Sequence, residues 1–144
     1  MFGYRKKYND LIYKIIRLKD TKEIYTEHLK VIYKGTDGND KIKLGAQIKA
    51  NSDSIEALNE ILKHREKKIG IFGYRKKYEE LWRNIFFLKV EIRVQRDQYE
   101  WKIGFDNSTN EDHYSMEERS RLEGLYERAA DLVIELNNIL GIEI

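Results

Sequence analysis

Two Arg-Lys-Lys triplets, Arg5-Lys6-Lys7 and Arg75-Lys76-Lys77, are the residues of this chain best suited to chemistry. Each is flanked by tyrosines, Tyr4 and Tyr8 in the first case, Tyr74 and Tyr78 in the second. Clustered cations hold anions, and a helix start adds unpaired backbone N–H groups to such a cluster. Tyr4, Tyr8, Tyr74 and Tyr78 could stack on a base; packing in a core is the plainer role for them. Cations in a first helical turn oppose the helix dipole at a cost of about 0.3–1 kcal/mol each. The sequence breaks that local rule twice, and such breaks tend to mark functional sites. A solvated helix end, or a relic of duplication with no binding role, is the bland reading of the same residues.

Other chemistry finds little support. The histidines His28, His64 and His113 lie far apart and lack metal spacing such as H-E-x-x-H. The acidic neighbours Glu79-Glu80 and Glu117-Glu118 point apart on a helix. There is no cysteine, no glycine-rich phosphate loop and no G-x-S-x-G context for a serine nucleophile. No catalytic residue, metal or cofactor is expected, and the chain reads as a non-enzyme.

The triplets belong to a longer identity. Phe2–Tyr8 and Phe72–Tyr78 are the same seven residues, F-G-Y-R-K-K-Y, 70 positions apart. Leu11, Ile15, Leu18 and Lys19 recur as Leu81, Ile85, Leu88 and Lys89. A second block, Leu58–Leu62, resembles Leu136–Leu140 at an offset of 78. The second copy therefore carries about eight extra residues, which fit the polar stretch Phe105–Ser115 because loops tolerate insertion. The chain reads as one unit written twice, residues 1–70 and 71–144, within one domain.

Periodicity then supplies the elements. Tyr4, Tyr8, Leu11, Ile15, Leu18, Tyr25, Leu29 and Ile32 alternate in steps of three and four, with Lys22 the one break. Tyr74, Tyr78, Leu81, Ile85, Leu88 and Ile92 repeat the pattern, and Gln95 and Tyr99 continue its phase. Each is an amphipathic helix of about 30 residues, near 45 Å long. Gly3 and Gly73 stand where an N-cap belongs. Ser115 and Glu118 have capping-box spacing and open a fourth helix with the stripe Leu122, Tyr126, Ala129, Val133, Leu136, Leu140. The aligned second segment gives Leu44, Ile48, Asn51, Ile55, Leu58 and Leu62. Residues 29–50 also fit a β-hairpin, since Ile42, Leu44, Ala46 and Ile48 alternate after the turn-like Thr36–Asn39. Helix is preferred, because the aligned Arg121–Ala130 has no strand character. The expected architecture is all-α: two tandem antiparallel helical hairpins forming a four-helix-bundle-like domain.

That topology turns sequence into a charge map. One pole collects the starts of helices one and three and the ends of helices two and four. There lie Arg5, Lys6, Lys7, Lys63, Arg65, Lys67, Lys68, Arg75, Lys76 and Lys77. The loops at the other pole carry Asp37, Asp40, Asp106, Glu111 and Asp112. Residues 1–70 hold 16 basic and 10 acidic side chains; residues 71–144 hold 11 and 15. The net charge of the whole, +2, is too small to argue for nucleic acid by itself.

A hydrophobic content of 41% with 36% charged residues is that of a globular chain. No apolar run approaches the ~20 residues of a membrane span. The repeat begins directly after Met1, which predicts a chain without a leader and a cytoplasmic location. Trp82, Phe86, Phe87, Trp101 and Phe105 widen the apolar arc of helix three. That suits a helix buried on several sides, or an exposed patch that docks a partner or another copy. The expected function is a protein-binding module, an adaptor or inhibitor of the kind by which a small bacterial or phage protein blocks a host factor. The alternative is nucleic-acid or nucleotide binding at the basic pole. Self-association into a homo-oligomer is the third reading, and none involves a membrane.

Overall fold

In the computed structural model, residues 3–63, 73–108 and 114–142 are described, the side chains of 106–108 excepted. They form four helices: α1 Gly3–Lys34, α2 Gly38–Lys63, α3 Tyr74–Ser108 and α4 Met116–Leu140. The stretch 29–50 is helical on both sides of a short turn, so the β-hairpin alternative falls. Thr36 closes that turn, its Oγ1 donating to the Ile32 carbonyl at 2.7 Å. Gly38 opens α2 at φ 71°, a left-handed conformation that glycine adopts without a Cβ clash.

Two boundaries differ from expectation. Gly3 is the first helical residue of α1 and not its cap, whereas the Gly73 carbonyl accepts from Lys77 N–H as a cap residue's should. Helix α3 runs on to Ser108, so the first residues of the supposed insertion loop, Phe105–Ser108, are helical. Nothing there breaks a helix: proline is absent and Gly104 is solvent-exposed. The capping of α4 is as read, with Ser115 Oγ accepting from Glu118 N–H at 3.1 Å. At its other end Gly141 takes φ 72° and Ile142 N–H returns to the Asn137 carbonyl at 2.9 Å, a Schellman-type stop.

The four helices make a bundle. α1 packs along α2, and α3 along α4; across these pairs α2 packs on α4 and α1 on α3, while α1–α4 and α2–α3 barely touch. The main apolar cluster draws equally on corresponding positions: Leu11, Ile15 and Leu18 with Leu81, Ile85 and Leu88, and Leu58 with Leu136. Ile15, Leu58, Ile85 and Leu136 are wholly buried. Burying such a side chain stabilises by about 1.5–3 kcal/mol.

Farther along, the inner face turns polar. Lys22 and Thr26 on α1 are buried where the α1 stripe was expected to continue with Tyr25, which is exposed. On α2, Ala46, Gln47, Asn51 and Ser54 are buried, and Leu44, Ile48 and Ile55 only partly so. The Lys22 ammonium donates to Glu135 Oε1 at 2.9 Å, and Gln47 Nε2 to Glu127 Oε2 at 2.6 Å. Asn51 is 1% exposed and neither end of its amide has a partner among the described residues. Beyond this layer α2 and α4 approach closely at Gly124. A Cβ there would lie 2.5 Å from the Lys43 carbonyl oxygen and 3.1 Å from Ala46 Cβ.

A candidate cationic pole at two helix starts

The two triplets come together. Tyr4 meets Tyr78 with ring centroids 5.9 Å apart, and Tyr8 meets Tyr74 at 5.8 Å. The pairing is reciprocal: each copy's first tyrosine touches the other copy's second. It draws α1 and α3 together at their starts. The arginines follow the rings across, Arg5 stacking over Tyr74 at 5.9 Å and Arg75 over Tyr4 at 5.7 Å. Lys7 lies over its own neighbour Tyr4 at 5.0 Å. Cation–π contacts of this kind are worth about 0.5–1 kcal/mol at exposed sites.

The two halves of the pole are not alike. Arg75 Nε donates to Glu79 at 3.2 Å and the Lys77 ammonium to Glu80 at 3.5 Å. The bond to Glu79 raises the pKa of Arg75. Asn9 and Asp10 stand at the corresponding places in the first copy. Lys6 and Lys76 are exposed, with no ion pair among the described residues. Neither α1 nor α3 has an acid in its first turn.

The tyrosines are packing residues. Tyr8 is buried, Tyr4 and Tyr74 are half-buried, and their rings are taken up by other rings and cations. Base stacking on Tyr4 or Tyr74 is therefore not what the geometry offers. Arg65, Lys67 and Lys68, assigned to the same pole, lie outside the described residues, as do Glu111 and Asp112 of the opposite one. Lys63 is exposed and paired with Glu60 at 2.8 Å.

Two clefts lie on the flanks. One, between α1 and α4, holds Lys22, Tyr25, Arg128, Asp131 and Glu135. The other, between α2, α3 and α4, is lined by Ala50, Asp53, Ala57, Ile92 and Gln95 among others. They occupy corresponding places in the two copies: Lys22 and Tyr25 answer to Ile92 and Gln95, Arg128 and Glu135 to Ala50 and Ala57. In the first, Arg128 pairs with Asp131 at 2.7 Å and stacks over Tyr25 at 5.2 Å. The stack of Arg128 on Tyr25 and the Lys22–Glu135 pair tie α4 to α1, while the Arg128–Asp131 pair lies within α4. Among the described residues no three His, Asp or Glu side chains group as metal ligands, and no helix is long and apolar enough to cross a membrane.

The aromatics of α3 divide. Trp82 and Phe86 stack at 5.4 Å against the core cluster, but Phe87 and Trp101 are 59% and 65% exposed. The expectation of a helix buried on several sides is corrected for the half beyond Lys89, where no described residue is buried. No protein-family model matches this chain, and no curated protein or solved structure matches it either.

Proposed function

We propose that this protein is a non-enzymatic binding module, an adaptor or inhibitor, that docks an acidic surface of a protein partner on the pole shared by the starts of α1 and α3. The observation that supports the reading is the reciprocal tyrosine pairing, which draws the starts of α1 and α3, and with them the two triplets Arg5-Lys6-Lys7 and Arg75-Lys76-Lys77, to the same end of the bundle. The rings favour one placement of each arginine by about 0.5–1 kcal/mol, which reduces the side-chain entropy lost on binding. In this reading the protein acts in the cytoplasm. The recurrence of F-G-Y-R-K-K-Y and the like-on-like packing, α1 with α3 and α2 with α4, support an origin by duplication of one helical hairpin.

Nucleic-acid or nucleotide binding is the second reading, favoured by the absence of acids from both first turns. The occupied tyrosine rings weigh against it.

The test is chromatography with light scattering at low salt, with absorbance read at 260 and 280 nm, followed by pull-down with native protein and with all six cations changed to alanine. An acidic protein retained by the native chain and lost by the variant supports docking at this pole. A 260 nm excess that disappears at high salt puts nucleic acid in its place, since phosphate binding falls steeply with salt. Equal retention by both forms removes the pole from the function.

A further inference from the structure

The outer face of α3 carries a second, independent surface. Phe87, Val90, Val94, Trp101 and Phe105 are all exposed. Their spacing, i, i+3, i+7, i+14 and i+18, puts them on one face of the helix, along roughly 27 Å at 1.5 Å per residue. Trp101 and Phe105 stack on each other at 5.2 Å within that face. No described residue of α3 beyond Lys89 is buried, and on this side Phe87, Val90, Val94 and Trp101 stand more than a third exposed among the described residues. An exposed apolar strip of that length marks an interface.

We propose that the face is covered by α3 of a second copy of this chain, running antiparallel about the centre of residues 96–97. The charges bordering the strip select that occupant. In this register Phe87 meets Phe105 of the second copy, and Val90 meets Trp101. Arg93 then faces Glu100 of the second copy, and Glu91 faces Lys102, on opposite borders of the seam. A twofold axis repeats each of these attractions, as an isologous interface requires. Arg93, Glu91 and Glu100 have no ion pair within the described chain, where most charged neighbours pair at i, i+3 or i, i+4. Lys102 also attracts Glu118 across to α4, so Arg93–Glu100 is the stronger selector. Asp97 lies at the axis with its charge held by Arg96 at 2.9 Å.

The first copy shows why the pairing is like with like. Ile24 and Val31 of α1 answer to Val94 and Trp101 and are 73% and 70% exposed. The bordering charges are reversed: Glu23 and Lys30 stand where α3 has Arg93 and Glu100. Placing α3 on α1 of another copy in the same register sets Glu100 against Glu23 and Arg93 against Lys30. That repulsion disfavours head-to-tail contact of α3 on α1, and in an α1–α1 pair Glu23 and Lys30 are already engaged by Lys19 and Glu27 of their own chain. A seam of one helix pair belongs at the low end of specific interfaces, below roughly 1,200 Å² in total, so dimerisation is concentration-dependent. Because the two α3 helices run oppositely, their starts point away from each other and both cationic poles stay open.

The experiment is sedimentation equilibrium of the full chain from micromolar to near-millimolar concentration, with helix content followed by circular dichroism. The native chain is expected to dimerise. Arg93→Glu and Glu100→Arg, both at exposed positions, each weaken the dimer at least tenfold with helix content unchanged, and the two together restore it. A monomer throughout the range overturns the proposal. So does a dimer indifferent to both charge reversals, or one broken by Ile24→Asp and not by Val94→Asp. None of these outcomes bears on the cationic pole, which is lost or kept by its own test.

Discussion

Gly124 sits in the middle of α4, where alanine ordinarily makes a better helix by up to about 1 kcal/mol. Here the ordering reverses. A methyl group would press on the Lys43 carbonyl oxygen, which is backbone and cannot rotate away, and on Ala46. Gly124→Ala is expected to cost about 1–3 kcal/mol as α2 and α4 are forced apart. Gly104, with nothing within 4 Å of its Cβ position, supplies the control. Gly104→Ala should gain up to about 1 kcal/mol. Urea unfolding of both variants checks the pair of signs, and a stable Gly124→Ala would mean that the close approach of α2 to α4 is absent. At this scale the sequence was legible in residue type and illegible in partner. Tyr4, Tyr8, Tyr74 and Tyr78 announce packing by their periodicity, but which ring meets which depends on how α1 crosses α3. The need for glycine at 124 likewise arises from a carbonyl on another helix.

Helices were read well where apolar residues recur and poorly where the core turns polar. The stripes of α1 and α3 are as expected through Leu18 and Leu88. On α2 the expected Leu44, Ile48 and Ile55 give way to Gln47 and Ser54, because Glu127 on α4 reaches in to satisfy Gln47. Lys22, the one break in the α1 pattern, is the clearest case. It is 5% exposed and tied to Glu135 on α4, a contact that no local periodicity can foresee. Glu135→Gln leaves the ammonium buried without its counter-charge and should cost about 2–4 kcal/mol, less than for a fully enclosed pair because Glu135 is 32% exposed. Lys22→Met removes the charge and keeps the stem's volume, and should be near neutral or stabilising. Thermal unfolding of the two variants separates them; equal losses would show that the pair itself, and not the stranded charge, carries the energy. The start of α4 adds a pH dependence. A hydrogen bond from Arg121, aided by the charge of Lys102, lowers the pKa of Glu118 below its ordinary 4.5. A lowered folded value means that the contribution is complete above pH 4.5 and is lost as pH falls through that folded value. Amide exchange at Glu118 and Arg119 should therefore quicken relative to the middle of α4 below pH 4.5. Glu118→Gln should abolish that dependence; a variant that keeps it would assign the acid response to another group.

Taken whole, the molecule is unevenly built. Its apolar cluster lies between Tyr8 and Leu18, Leu58 and Leu62, Leu81 and Leu88, and Leu132 and Leu140, all toward the cationic pole. The polar layer of Lys22, Thr26, Gln47 and Asn51 follows, and then a slighter set of buried residues, Leu29, Ala46, Leu122 and Ala129. Local opening needs least energy where fewest apolar contacts must break. Amide hydrogen exchange on dilute protein should therefore run as a gradient along the bundle. The slowest amides are expected at 11–18, 58–62, 81–88 and 132–140, approaching the global unfolding rate. Residues 93–105 of α3, with none of their side chains buried, should exchange fastest among the described helices, ahead of 24–34 of α1, which Leu29 still anchors. Raising the protein concentration separates two causes of that mobility. If α3 lacks only a partner, protection at 93–105 rises with dimer formation while 24–34 stays as it was. If both segments slow together, the effect belongs to the bundle as a whole and the α3 face has no privileged occupant. Uniform protection along all four helices at every concentration would instead mean that the polar layer does not divide the core.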